Sequence, residues 1–314
     1  MALQKHGSPL GGPFFIVQAI SNRLCHGMTQ RSATLVGFVA IVLWALLALF
    51  TVGTFPVPPL QLNALCFSIG GAIGMLWITY TKSWGDLKRV PLSVYGFGTL
   101  GLFGYHFLYF SALRAAPPAE AGLIAYLWPL LIVLFSGLLP GERLRSLHIV
   151  GAITSFFGAS LIVAAGANFD AGNAWGYGLA LACAFTWSGY SVLSRRLGAI
   201  PTASVMVFCI ATAILSAIAH AFLETTAWPT APIGWISILG LGLGPVGAAF
   251  YVWDIGVKRG NIQLLGTASY AAPLLSTIVL VGVGIADPKP ALIASAVLIT
   301  LGAGLAAFAS RQTE

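Results

Sequence analysis

Apolar residues fall into ten long stretches separated by short polar breaks, near 33–53, 59–80, 92–113, 117–139, 147–166, 174–196, 201–223, 232–257, 261–285 and 290–309. About 20 apolar residues in a helix span the roughly 30 Å hydrocarbon core of a bilayer. The stretches are too long and too uniformly apolar for the alternating strands of a barrel, the other architecture that satisfies every backbone group in lipid. The pattern predicts an all-α integral membrane protein of ten transmembrane helices, with loops too short to hold a soluble domain.

Composition agrees. Charged residues make up 7 % of the 314 and hydrophobic ones 58 %, with a mean hydropathy of +0.91, whereas soluble domains carry about 25 % charge. The net charge of +7 would suit nucleic acid, but the placement of the basic residues explains it without one. Lys5, Arg23 and Arg31 precede the first segment; Lys82, Lys88 and Arg89 follow the second; Arg143 and Arg145 follow the fourth, Arg195 and Arg196 the sixth, Lys258 and Arg259 the eighth, and Arg311 the tenth. Only Arg114 and Lys289 fall on the other side. By the positive-inside rule both termini are cytoplasmic, which also requires an even number of spans.

Residues 1–32 read as a disordered cytoplasmic tail, or in part as an extension ahead of a natural start at Met28. A signal peptide is disfavoured, because the apolar run there is short, broken by glycine and proline, and followed by no clear small-x-small cleavage site. Residues 310–314 form a second short tail. Cys25, Cys66, Cys183 and Cys209 show no C-x-x-C spacing, and three of them sit inside apolar spans, so they read as core residues rather than a disulfide or metal set.

The chain also repeats itself. "AYLWPLL" at 125–131 returns as "SYAAPLL" at 269–275, an offset of 144 that also relates Gly98 to Gly242, Gly122 to Gly266 and Gly158-Ala159 to Gly302-Ala303. At an offset of 143, Trp44 meets Trp187, Pro58 meets Pro201 and Cys66 meets Cys209. Two halves, 33–166 and 174–309, therefore hold five spans each in the same order. Five is odd, so the second half enters the membrane from the opposite side and the halves form an inverted repeat. Secondary transporters are commonly built this way, with substrate bound near the midplane between the repeats; a duplication serving only as scaffold is the competing reading.

With ten spans, a tryptophan in the first helix of each half and Pro-Leu-Leu in the fourth, residues 33–309 resemble the EamA-type branch of the drug/metabolite transporter superfamily. Within it, "GYHFLYFSALRAAPPAEAGLIAYLWPLLIVLFSGLLPGERL" at 104–144 is similar to the bacterial aromatic amino-acid exporters. The resemblance implies alternating access in a bacterial inner membrane, with an aromatic or other neutral apolar amino acid as substrate and no cofactor. Efflux of neutral drugs or metabolites is the alternative within the same class, and a monomer suffices for either.

Depth selects the candidate site residues. Tyr126 lies about 14 Å into the fourth segment at 1.5 Å per residue, with Pro129 slightly deeper, and Tyr270 and Pro273 reach the same level from the other face. Trp44 and Trp187 are also central, which argues against the interfacial belt where membrane tryptophans usually concentrate. On an ideal helix Gly122, Tyr126 and Pro129 share one face, as do Gly266, Tyr270 and Pro273. Each proline deprives a carbonyl, that of Ala125 or of Ser269, of its usual donor, and such an acceptor is tolerated where it lines a polar cavity. Trp128, about 200° round the helix from Tyr126, reaches that cavity only if the helix kinks at Pro129. A kink needed only for packing is the bland alternative.

Tyr105, His106 and Tyr109 join from the third segment, Trp187 and Tyr190 from the sixth, and Phe250 and Trp253 from the eighth, at the positions matching His106 and Tyr109. An ionisable residue inside a span is a functional candidate by default, although a hydrogen-bonded neutral core histidine is nearly as good an account of His106. No carboxylate falls at mid-depth; Glu120 lies near one end of its segment, and Asp254, four residues before Lys258, reads as an interfacial ion-pair partner. A zwitterion therefore fits better than a cation, its side chain among the rings and its ammonium on carbonyls, hydroxyls or ring faces.

An intramembrane enzyme is a poor alternative, since no nucleophile-base or metal-ligand spacing occurs, and no lysine lies inside a span to bind a retinal-like chromophore. "GLGPVG" at 242–247 matches a dinucleotide-loop pattern but lacks the strand it would follow, so it reads as helix-packing glycine. Gly70-x-x-x-Gly74 and Gly240-x-x-x-Gly244 are read the same way, without implying a dimer.

Overall fold

The computed structural model describes residues 28–311. Residues 1–27 of the leading tail, with Cys25, and residues 312–314 of the trailing one lie outside the described residues, while 30–32 and 310–311 belong to helices. Within them the chain is helical, with no strand. The principal helices are α1 (Gln30–Ala45), α2 (Leu47–Gly53), α3 (Pro59–Thr81), α4 (Leu92–Thr99), α5 (Tyr105–Ala115), α6 (Pro118–Ala125), α7 (Trp128–Ser136) and α8 (Ser146–Val163). They are followed by α9 (Ala174–Arg196), α10 (Ser204–Leu223), α11 (Pro232–Leu243), α12 (Ala249–Arg259), α13 (Ile262–Ala268), α14 (Ala271–Gly282) and α15 (Ala291–Arg311).

Eight stretches among the described residues are long and apolar enough to cross a membrane: Gln30–Gly53, Pro59–Thr81, Pro118–Ser136, Ser146–Val163, Ser204–Leu223, Pro232–Arg259, Ile262–Gly282 and Ala291–Arg311. The two remaining apolar segments of the sequence, near 92–113 and 174–196, are also helical. They are less apolar because they carry Tyr105, His106, Tyr109 and Arg114 in one, and Ser188, Tyr190, Ser191 and two terminal arginines in the other.

The uninterrupted helices expected from the apolar pattern are broken in places where the backbone lacks a donor or a side chain. A π-helical turn, Leu100–Gly104, separates α4 from α5 in a glycine-rich stretch, and a second, Gly244–Ala248, separates α11 from α12 at Pro245, whose nitrogen cannot donate. α6 ends at Ala125 and α7 begins at Trp128, with Pro129 in its first turn; α13 ends at Ala268 and α14 begins at Ala271, with Pro273 in its first turn. Both π turns and, within a residue, both breaks recur at the 144-residue offset of the sequence repeat.

Helix pairs from opposite halves make the body of the bundle: α8 on α15, α3 on α10, α1 on α12 and α5 on α9. Small residues let two of these pairs approach to backbone contact. A Cβ on Gly256 would sit 2.7 Å from the Cα of Gly37, and one on Gly302 would overlap the Gly151 carbonyl and the Ser155 hydroxyl. α3 and α10 are also joined by a buried hydrogen bond, Asn63 Nδ2 donating to Ser216 Oγ at 2.7 Å. Outward faces carry exposed apolar side chains such as Phe157, Ile214, Leu301 and Phe308, a surface that suits hydrocarbon. Cys66, Cys183 and Cys209 are free and buried, as core residues should be.

Candidate substrate site

Four tryptophans from four different spans meet at the centre. Trp44 stands at the end of α1, Trp128 opens α7 just past the break, Trp187 lies midway along α9, and Trp253 lies within α12. All six pairs are in ring contact, with centroids 5.0 to 6.3 Å apart. Most are edge-to-face, the arrangement favoured by the ring quadrupole, and each such pair stabilises by about 0.5–1.5 kcal/mol beyond area burial. Trp128 joins because the chain is not helical through Tyr126 and Leu127; on an unbroken helix it would point away. Ala125 and Tyr126 therefore end one helix and Trp128 and Pro129 start the next, so the single ideal-helix face drawn through Gly122, Tyr126 and Pro129 does not persist.

Polar edges of the cluster are matched. Trp44 Nε1 donates to the Pro245 carbonyl in the second π turn at 3.1 Å, and Trp253 Nε1 donates to Ser191 Oγ at 3.1 Å. From sequence the stretch containing Pro245 reads as packing alone. Proline does loosen the helix there, and the π turn presents a carbonyl to an indole on another span.

A second layer leans on the tetrad. Tyr105 packs on Trp187 at 5.3 Å and lies parallel to Tyr109 at 6.1 Å; Tyr190 and Phe250 contact Trp187 at 5.3 and 5.7 Å. His106 stands edge-on to Phe67 at 5.0 Å and to Phe250 at 6.0 Å. Its Nδ1 is 2.7 Å from the Leu102 carbonyl in the first π turn. A carbonyl only accepts, so Nδ1 carries the proton and Nε2 of the neutral ring is left as an acceptor. Phe67 stacks on Phe250 at 5.3 Å and so belongs to this layer. Nothing in its uniformly apolar run distinguished it.

The second tyrosine motif behaves differently from the first. Tyr270 is fully buried, packs edge-on to Phe156 at 5.9 Å, and its hydroxyl accepts the Leu130 N–H at 3.0 Å. Tyr126 packs against the same cluster but is only half-buried. Ser269 is buried with Oγ donating to the Leu265 carbonyl at 2.8 Å, and its own carbonyl accepts the Ala272 N–H at 3.1 Å, so it is not the free acceptor that Pro273 alone would leave. Pro129 and Pro273 are buried at the two breaks. Trp44, Tyr105, His106, Tyr109 and Tyr126 thus keep partly accessible surface, while Trp128, Trp187, Tyr190, Phe250 and Trp253 back them.

Charge is held at the two ends of the bundle. At one end the buried Glu224 carboxylate accepts the N–H groups of Leu60 and Gln61 at the start of α3, at 3.0 to 3.2 Å, and pairs with His220 Nδ1 at 2.9 Å and with Arg114. Burial pushes its pKa up, but hydrogen bonds from His220, Leu60, Gln61 and Arg114 outweigh this and hold it below the ordinary 4.5. At the other end Arg195 pairs with Glu142 and donates to the carbonyls of Val257 and Gly260 at 3.0 and 2.8 Å, while Gln263 donates to Glu142 at 2.9 Å. Asp254 follows Trp253, but its partners lie outside the tetrad. It accepts from Lys258 at 2.9 Å and from Thr202 at 2.7 Å, the pairing expected from spacing but buried rather than exposed. Among the described residues no group of His, Cys, Asp or Glu side chains could hold a metal ion.

A bundle of apolar spans, interrupted at mid-depth around an uncharged aromatic centre and tied by ion pairs at both ends, has the construction of a membrane transporter. The chain belongs to the EamA-like transporter family, which matches residues 31–164 and again 174–308. It is 51 % identical over 288 residues to the aromatic amino acid exporter YddG of Ancylobacter novellus, covering 91 % of this chain and all of that one. Identity to the YddG of Salmonella typhimurium is 26 %, over 80 % of this chain and 88 % of the relative. A solved crystal structure 52 % identical in sequence superposes with a TM-score of 0.87 and covers 90 % of this chain and 99 % of its own. The chain is accordingly a multi-pass membrane transporter and not an enzyme.

Proposed function

We propose that the chain exports aromatic and other neutral apolar amino acids across the bacterial inner membrane by alternating access. In this reading ten spans form two inverted five-helix repeats, 33–166 and 174–309, and both termini are cytoplasmic. The observation that carries the substrate class is the Trp44, Trp128, Trp187 and Trp253 tetrad, edged by Tyr105, His106, Tyr109 and Tyr126 with no charged side chain among them. The relative named as an aromatic amino acid exporter at 51 % identity supports it. A flat side chain slides between indole and phenol faces, its ammonium meets ring faces, tyrosine hydroxyls and the open Nε2 of His106, and the absence of a fixed charge permits release on either side.

The two polar ends serve as gates. Glu224 with Arg114 and His220 closes the external end, and Arg195 with Glu142 and Gln263 the cytoplasmic end. Each joins spans from both halves, so a change of state requires one set to part while the other holds.

Counterflow in proteoliposomes tests the reading. Vesicles loaded with unlabelled phenylalanine are expected to take up labelled phenylalanine and tryptophan, and to discriminate against charged amino acids. Failure of both aromatic substrates, with exchange of another neutral solute, would replace it with general metabolite efflux.

A further inference from the structure

At the end of the bundle where the basic residues concentrate, a cavity of about 330 Å³ opens between the end of α3 with its following loop, the α9–α10 connection, and the end of α12. It is separate from the tryptophan tetrad. Its lining residues include Trp77, Ser83, Asp86, Arg89, Thr202 and Arg259. The volume lies at the small end of the range for ligand pockets, about 300–1,000 Å³.

Asp86 and Arg89 are decisive. Asp86 lies in the one-turn helix Trp84–Leu87 and Arg89 two residues past its end, both exposed at the cavity, and they form no ion pair with each other. Neither residue takes part in the ion pairs made by Glu142, Glu224 and Asp254. An acid and a base that leave each other free within one cavity, beside an indole, present complementary groups to a zwitterion with an aromatic side chain. A lipid phosphate would match the arginines but would be repelled by Asp86.

We infer that this cavity is a second, cytoplasmic binding site for the free amino acid: Asp86 receives the ammonium, Arg89 the carboxylate, with Arg259 alongside, and the side chain lies on Trp77. The inference rests on the proposed function for its substrate and for its side of the membrane. The site is wired to the centre. Its wall residue Thr202 donates to Asp254, and Lys258 donates to the neighbouring Ile200 carbonyl at 3.0 Å, so both fasten the wall to α12. Asp254 directly follows Trp253 of the tetrad, and Trp77 touches Tyr251 on the same helix at 6.1 Å. A ligand drawn into the cavity therefore loads against the helix that carries one wall of the central site.

The test counts bound phenylalanine. The full chain in phosphatidylglycerol-containing nanodiscs is titrated with labelled L-phenylalanine; two sites per chain are expected. The paired substitution D86N/R89Q is expected to weaken one of them by about tenfold or more, loss of a charge-assisted contact being of that order, while Y126A weakens the other. The concentration needed for half-maximal transport from the cytoplasmic side should rise in D86N/R89Q. One site in the wild type, or two unchanged sites in D86N/R89Q, would overturn the inference. So would loss of bound phosphatidylglycerol, rather than phenylalanine, in that variant. Absence of any phenylalanine binding or transport in the wild type would instead remove the proposed function itself.

Discussion

The hydroxyl of Tyr270 accepts the backbone N–H of Leu130 at 3.0 Å, so a side chain at one helix break closes the backbone gap left by the other. Leu130 would donate to Tyr126 in an unbroken helix, but the turn there is open. The Tyr270 ring is fully buried, so water cannot substitute. Tyr270→Phe is therefore expected to lower stability by about 1–3 kcal/mol through the orphaned donor. Tyr126→Phe, at the partly accessible counterpart, should have a much smaller effect on stability. Thermal unfolding of both variants in detergent reads the difference, and equal losses would refute the division of roles.

The tetrad invites a complementary measurement on activity. Trp128→Ala removes a ring that contacts three others, and its space at a helix break collapses poorly. Transport of phenylalanine should fall at least tenfold, while Trp128→Phe retains a larger part of the rate. The counterflow assay separates loss of the site from loss of insertion when protein amounts in the membrane are matched. Wild-type rates in Trp128→Ala would leave the tetrad as packing alone.

Much of this centre was legible because the sequence repeats: the spacing of Trp44 and Trp187, and of Tyr126 and Tyr270, picked out mid-depth aromatics. The repeat also misled by treating its halves as equals. It gave Tyr126 and Tyr270 one environment, whereas Tyr270 is fully buried against Phe156 with its hydroxyl on the Leu130 N–H and Tyr126 stays partly accessible. Phe67 carried no signal, being one phenylalanine in an apolar run, and its role depends on a helix that is distant in sequence. Pro245 was set aside because a glycine-proline stretch reads as packing, and only the Trp44 indole meeting its carbonyl reveals otherwise. The Glu224 network was equally silent, since its partners lie 110 and 164 residues away.

Close backbone approach makes a sharper demand. A Cβ on Gly302 would run into the Gly151 carbonyl and Ser155 hydroxyl across the α8–α15 contact, and backbone cannot yield as a flexible side-chain tip does. Gly302→Val should abolish the folded protein in detergent, whereas Gly304→Val, where a Cβ meets open space, should be tolerated. Size-exclusion profiles of the two variants make the comparison.

Glu224 supplies a pH dependence with a definite sign. Its folded-state pKa lies below the ordinary 4.5, because its hydrogen bonds to His220, Leu60, Gln61 and Arg114 favour the carboxylate over the effect of burial. The stabilisation is thus present above the unfolded carboxylate value and is lost as pH falls through the lower folded one. In Glu224→Gln that contribution is absent at every pH. Melting temperatures of wild type and Glu224→Gln should differ most near neutral pH and converge as the solution is acidified below about 4. The α3 start would lose its anionic cap in both, favourable contacts of a carboxylate with a helix N-terminus being worth about 0.3–1 kcal/mol when exposed and more when buried. A gap that stays constant through acidification would show that Glu224 does not hold this end as a carboxylate.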